Sequence, residues 1–147
     1  MTAPRYRRIA ALAGAALLAA TGATACTDTS VLTLRVGDCL DSASLAGDSV
    51  SDVVTIPCDE PHDAEIFADL ELPDGRYPGI DEVRTAAEDF CLPALEEFVG
   101  IPLLESELDV YPLLPTVDSW TADDDRVILC IAVAPEDVTG TLEGSER

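Results

Sequence analysis

Lysine is missing from this chain altogether, and histidine, tryptophan and methionine occur once each. Without lysine there is no side-chain amine for Schiff-base chemistry, and the single histidine, His62, has no evident serine or cysteine nucleophile to activate. Neither a Gly-x-Ser-x-Gly elbow nor a glycine-rich phosphate loop occurs. Glu65 could be matched with another carboxylate as a hydrolase pair, but any sequence with 29 acidic residues offers such pairs by chance. No enzymatic activity, catalytic residue or cofactor is expected. A Cys-x-x-Cys pair is also missing, which disfavours a tetrathiolate zinc site.

Positive charge is scarce. Eight arginines stand against 29 acidic residues, a net charge of −21 at pH 7. Such a surface repels phosphate backbones and anionic headgroups, so neither a nucleic-acid partner nor charge-driven binding to a membrane is expected. It resists aggregation and could steer basic partners or collect divalent cations, although solubility alone accounts for it.

No apolar run is long enough to span a bilayer. The longest, Ile9 to Ala20, covers about 18 Å as a helix against the roughly 30 Å required. With Arg5, Arg7 and Arg8 before it and small residues after it, residues 1–25 have the layout of an export signal. Arg7-Arg8 raises twin-arginine export, but Tyr6 and Ile9 fit that motif poorly, and general secretion is expected. Removing the leader takes three arginines and no acid, so the charge becomes 5 − 29 = −24. The rest has the length of one domain with its own core.

Five cysteines are present, at 26, 39, 58, 91 and 130. Cys26 follows Ala23-Thr24-Ala25 directly, where cleavage would expose it for acylation. Ala23 is smaller than the aliphatic residue usual in a lipobox, and the same tripeptide satisfies ordinary signal peptidase. Parity supports lipidation: with Cys26 acylated, four cysteines remain to pair in an oxidising extracytoplasmic space. The expected place is therefore the outer face of the cell membrane, held by an N-terminal lipid, with secretion as the alternative. Residues 26–31 are expected to be a lipid-anchored spacer and 32–147 the domain. Four cysteines allow three pairings, and sequence does not choose among them. Cys39–Cys58 with Cys91–Cys130 is the pairing expected, closing loops of about 20 and 40 residues worth about 3 and 4 kcal/mol.

Hydrophobic patterning predicts an α+β fold: a small antiparallel sheet of about four or five strands with one kinked helix packed on it, stapled by two disulfides. Strands are expected at Val31 to Val36, Val53 to Ile56 and Ala64 to Leu72, the last with only Phe67 breaking a two-residue period. A helix should begin at an Asp81 N-cap and present Val83, Ala87, Phe90, Cys91, Leu95 and Phe98 on one face until Gly100 and Pro102, kinking or restarting at Pro93. Pro112 and Pro115 push Val110 to Val117 to a sheet edge. The continuous apolar run within Arg126 to Val133 reads as a central strand buried on both faces.

The strings Val36-Gly37-Asp38-Cys39-Leu40 and Val54-Thr55-Ile56-Pro57-Cys58-Asp59-Glu60-Pro61-His62-Asp63-Ala64-Glu65 resemble the septum formation-related domain of high-G+C Gram-positive bacteria. Tyr77-Pro78, Cys91, Pro115, Trp120, Arg126, Cys130 and Gly144-Ser145 continue the resemblance, which covers roughly residues 35 to 145. Asp123-Asp124-Asp125 stands where the family commonly has glycine. The resemblance implies a role near division or envelope assembly and brings no catalytic residue set.

The candidate structural or ligand-binding residues are Pro61, His62, Asp63, Glu65 and Trp120. An imidazole among carboxylates suits zinc or another divalent ion, but His62 fixing the turn after Pro61 is the reading preferred, and no metal is expected. Asp123 to Asp125 lack the spaced pattern of a calcium loop and read as a solvated turn. Trp120 and Tyr111 could stack on a sugar or peptide, although such aromatics more often fill the edge of a small core. The function expected is a non-catalytic interaction domain with an envelope protein partner; the alternative is a sensor of cations or small ligands centred on His62.

Overall fold

A computed structural model describes residues 27–47 and 50–147. The predicted export signal and Cys26 lie outside the described residues. Strands β1 (Thr27–Ser30), β2 (Cys39–Leu40), β3 (Asp52–Ile56), β4 (His62–Glu71), β5 (Asp109–Leu113) and β6 (Val127–Val138) form one sheet in the order β1-β3-β2-β4-β6-β5, every pairing antiparallel. Helices α1 (Ile80–Val99) and α2 (Val117–Ala122) complete the α+β fold. The sheet has six strands rather than four or five. Two strands are additional: β1, which occupies residues expected to be spacer, and the short β2, which follows the turn at Gly37-Asp38; the predicted first strand is absent, Val31–Thr33 forming a single 3-10 turn.

β6 runs between β4 and β5 and is buried on both faces, as its continuous apolar run requires. Ile128, Cys130 and Ala132 point to a core shared with α1, whereas Leu129 and Ile131 point to a second core with Leu34, Leu40, Leu45 and Val53. β5 is the edge strand that carries Pro112.

Phe67, the one residue out of step in the sequence, is a β-bulge. Ile66 pairs with Ile131 and Ala68 with Cys130, so β4 spends two steps where β6 spends one. The bulge turns the alternation over. Ala64 and Ile66 face the second core, while Phe67 and, beyond it, Leu70 and Leu72 face α1. Leu70 and Leu72 therefore continue the even-numbered pattern of Ala64 and Ile66 on the opposite face of the sheet.

Val83, Ala87, Cys91, Leu95 and Val99 form the buried stripe of α1, one residue per turn. The helix is capped by Gly79 rather than Asp81, and Asp81 and Glu82 lie in its first turn, where the helix dipole favours carboxylates. Helical structure runs unbroken through Pro93, with no restart; the proline removes one backbone donor from an exposed position. Gly100 ends the helix at φ +88°, a left-handed conformation that suits glycine. The amides of Gly144 and Glu146 then donate to the carbonyls of Phe98 (2.8 Å) and Val99 (3.0 Å), so the C-terminal tail satisfies acceptors that the helix leaves open.

The disulfides are Cys39–Cys58 and Cys91–Cys130. The first ties β2 to the turn before β4, and the second fastens the buried face of α1 to β6. Cys91 and Cys130 are 1% and 0% exposed, so this bridge is enclosed in the core.

Candidate functional site

The motif around His62 folds into a junction. Gly37, at φ +93°, turns the chain so that its amide donates to the Ile66 carbonyl (2.8 Å), while the Ile66 amide donates to the Asp38 carbonyl (2.9 Å). This exchange sets β2 beside β4, with Cys39 opposite Glu65 in register. Pro61 is exposed and introduces β4, whose first residue is the buried His62. The Nδ1 of His62 donates to the Glu60 carbonyl at 2.8 Å, since a carbonyl can only accept. Its Nε2 is buried and has no hydrogen-bond partner among the described residues.

The carboxylates near His62 go separate ways. Asp63 accepts from the Ser42 amide (2.7 Å) and from the Ser42 hydroxyl, fixing the 3-10 turn Ser42–Leu45. Glu65, 4% exposed, accepts from the Thr141 hydroxyl (2.8 Å) and from the Leu142 amide (2.6 Å), and so holds the C-terminal segment against the sheet. Asp59 is exposed in the turn. Among the described residues, one set of potential ligand atoms converges: Cys39 Sγ, a ring nitrogen of His62 and a carboxylate oxygen of Glu65, all within 4.8 Å of one another. In the oxidised protein Cys39 is committed to its disulfide.

A second cluster gathers residues far apart in sequence. Trp120, 3% exposed, lies on α2 and donates from Nε1 to the Gly75 carbonyl at 2.9 Å. Tyr77 meets its ring edge-on at a centroid distance of 5.5 Å and donates its hydroxyl to the Pro115 carbonyl. The Arg126 guanidinium lies 3.9 Å over the indole centroid and donates to the Trp120 carbonyl at 2.9 Å. Trp120 is thus a packing residue with its polar edge satisfied, which leaves no open face for a sugar or peptide. Tyr111 likewise donates its hydroxyl inward, to the Leu45 carbonyl (3.2 Å).

The acidic turn is engaged locally. Asp124 adopts φ +58° and pairs with Arg126 at 2.7 Å, while Asp125 accepts from the Ser119 hydroxyl and the Val127 amide. The Asp123 side chain is exposed, and its amide donates to the Ser119 carbonyl at 2.9 Å, closing the C-terminal end of α2. The turn expected at Asp123 to Asp125 is present, but the edge strand expected over Val110 to Val117 ends at Leu113 and α2 begins at Val117, a helix whose local signal is the Thr116–Ser119 capping box.

Beside this cluster an open groove of about 770 Å³ runs between the N-terminal segment and the end of the sheet. Leu34, Leu113 and Leu129 contribute apolar lining, and Asp118 and Asp123 to Asp125 contribute acids. Among the described residues no helix is long and apolar enough to cross a membrane.

Fold and site together define a disulfide-stapled α+β domain in which the motif residues Gly37, Glu65, Tyr77, Trp120 and Arg126 hold the chain together. The family model described as septum formation matches the chain over residues 10–120 and 36–146. The chain belongs to the septum formation family. No curated protein and no solved structure matches it.

Proposed function

We propose that this chain is a non-catalytic interaction domain of the bacterial cell envelope, anchored by a lipid on Cys26 and linked to septum formation through a protein partner. Membership of the septum formation family carries the reading. The use of the motif residues supports it: Gly37, Glu65, Tyr77, Trp120 and Arg126 all serve internal contacts. Recognition then falls to surface, and the groove with its apolar lining and acidic rim suits a partner segment carrying both apolar and basic side chains.

In-cell crosslinking from positions bordering the groove, such as Asp118 and Leu32, tests the partner. A reproducible envelope protein is expected, and recovery of none overturns the interaction reading. Deleting the gene tests the link to division. Displaced septa or altered cell length are expected, and unchanged cells refute that link.

A further inference from the structure

Among the described residues the Nε2 of His62 is a buried acceptor without a hydrogen-bond partner, an arrangement that costs stability. Its ring is oriented in a particular way: Nδ1 donates to the Glu60 carbonyl, which in the neutral ring leaves the Nε2 lone pair free. Metal-ligating histidines are held in this manner, one nitrogen anchored on a carbonyl and the other on the ion. We propose that reduction of the Cys39–Cys58 disulfide opens a zinc site formed by Cys39 Sγ, His62 Nε2 and Glu65, with Cys58 as the fourth ligand. The site goes beyond the envelope role and does not depend on it.

The geometry is close to what the ion needs. Zinc bonds of about 2.0–2.3 Å in a tetrahedron separate ligand atoms by about 3.3–3.8 Å. Cys39 Sγ, a ring nitrogen of His62 and a Glu65 oxygen already lie within 4.8 Å of one another, so bringing these three to tetrahedral spacing requires an approach of about 1.5 Å or less, while Cys58 Sγ separates from Cys39 once their bond is broken. Thiolate, imidazole and carboxylate together select zinc over calcium or magnesium, which prefer oxygen alone. Thr141 and Leu142 supply the outer contacts that orient Glu65, whose oxygens keep further lone pairs.

Oxidation state decides whether the site exists. In the bridged form the Cys39 sulfur is bonded to sulfur and is no thiolate. A dithiol of the thioredoxin class supplies the two electrons. Its thiolate attacks Cys58 Sγ, the sulfur–sulfur bond breaks, and Cys39 leaves as a thiolate. The second thiol of the reductant then attacks the mixed disulfide and expels Cys58, so the reductant departs as its own disulfide. Cys58 is half-buried while Cys39 is 1% exposed, which makes Cys58 the point of attack. The enclosed Cys91–Cys130 bridge stays intact and holds the fold.

The test uses the mature chain carrying Cys26→Ser, so that no thiol outside the domain binds metal, with cobalt(II) as the spectroscopic probe and zinc as competitor. The oxidised protein is expected to give no sulfur-to-cobalt charge-transfer band. After mild phosphine reduction, with alkylation and mass measurement showing two free cysteines, a one-to-one complex with tetrahedral cobalt bands is expected, displaced by zinc. Adding His62→Gln should weaken zinc binding by at least about tenfold, judged against the effect of losing even an outer contact. Since reduction could loosen the domain, Cys58→Ala provides a second route: Cys39 is then a free thiol without any reductant, and zinc should raise the melting temperature of this variant but not of Cys58→Ala with His62→Gln. Absence of binding in both reduced protein and Cys58→Ala overturns the proposal, as does equal binding with and without His62.

Discussion

Replacing Glu65 by alanine isolates the bond that fastens the C-terminal segment to the sheet. The carboxylate accepts two hydrogen bonds, from Thr141 Oγ1 at 2.8 Å and from the Leu142 amide at 2.6 Å, and the second is buried. Hydrogen bonds to a charged group contribute about 1.5–3 kcal/mol each, and a buried amide left without an acceptor costs about 1–3 kcal/mol. The two estimates overlap, since both describe loss of the same contact, so a loss of about 3–4 kcal/mol is expected for Glu65→Ala. That is a large part of the 5–15 kcal/mol typical of a domain. Thr141→Val removes the hydroxyl's bond to Glu65 and the exposed bond that the hydroxyl accepts from the Glu143 amide (3.1 Å), and should cost about 1–2 kcal/mol. Urea unfolding of the oxidised mature chain followed by circular dichroism gives the totals. Hydrogen exchange gives the location: Leu142 is 1% exposed and belongs to the α1 core, and its amide should lose protection in Glu65→Ala while the amides of β3 keep theirs. A destabilisation under 1 kcal/mol, or an unchanged Leu142 amide, would refute the assignment of Glu65 as the clasp.

Trp120→Phe should cost about 1–2 kcal/mol in the same assay, because it removes the bond to the Gly75 carbonyl and weakens the stacking of Arg126. Replacing Cys91 and Cys130 together by alanine opens the longer loop and should cost about 4 kcal/mol, lowering the melting temperature by about 15 °C, more than the pair Cys39 and Cys58, for which about 3 kcal/mol is expected. At position 124 the left-handed backbone favours glycine and the ion pair to Arg126 is exposed on the aspartate side, so Asp124→Gly should fall within about 0.5 kcal/mol of the parent. Asp124→Val should lose at least about 1 kcal/mol, since a β-branched residue resists that conformation.

The parts of this fold readable from sequence are those in which one physical signal dominates. The apolar run of β6, the one-per-turn stripe of α1 and the edge proline of β5 each leave a periodicity that survives burial, and the two disulfides follow the expected pairing. Phe67 was legible as an interruption but not as a reversal. A bulge changes which face follows it, and the alternation of even-numbered residues continues through it unaltered because both faces of β4 are covered. Val31 to Val36 misled for a related reason: its β-branched composition suits a strand, yet only Leu34 is buried, and the edge pairing falls to the polar Thr27–Ser30. The convergence of Tyr77, Trp120 and Arg126, and of Cys39, His62 and Glu65, depends on chain reversals that local patterns do not encode.

The strand at Thr27–Ser30 bears directly on the proposed tether. Residues expected to separate Cys26 from the domain are instead paired with β3 from Thr27↔Thr55 to Ser30↔Asp52, which leaves no spacer. A lipid on Cys26 would therefore bring an edge of the sheet to the headgroups, and a chain with charge −24 would be held there against electrostatic repulsion, which salt screens beyond about 8 Å. Attachment must then come wholly from the acyl chains, since the protein surface contributes repulsion. It follows that Cys26→Ser should move the protein from the membrane fraction to the medium in full, without the residual binding that a basic domain would retain. Intact mass of the mature N-terminus gives the complementary reading, diacylglycerol and acyl mass on residue 26. A mature chain that begins at an unmodified Cys26 would leave export standing and remove the anchor, and membrane retention of Cys26→Ser would show that something other than the lipid holds the domain.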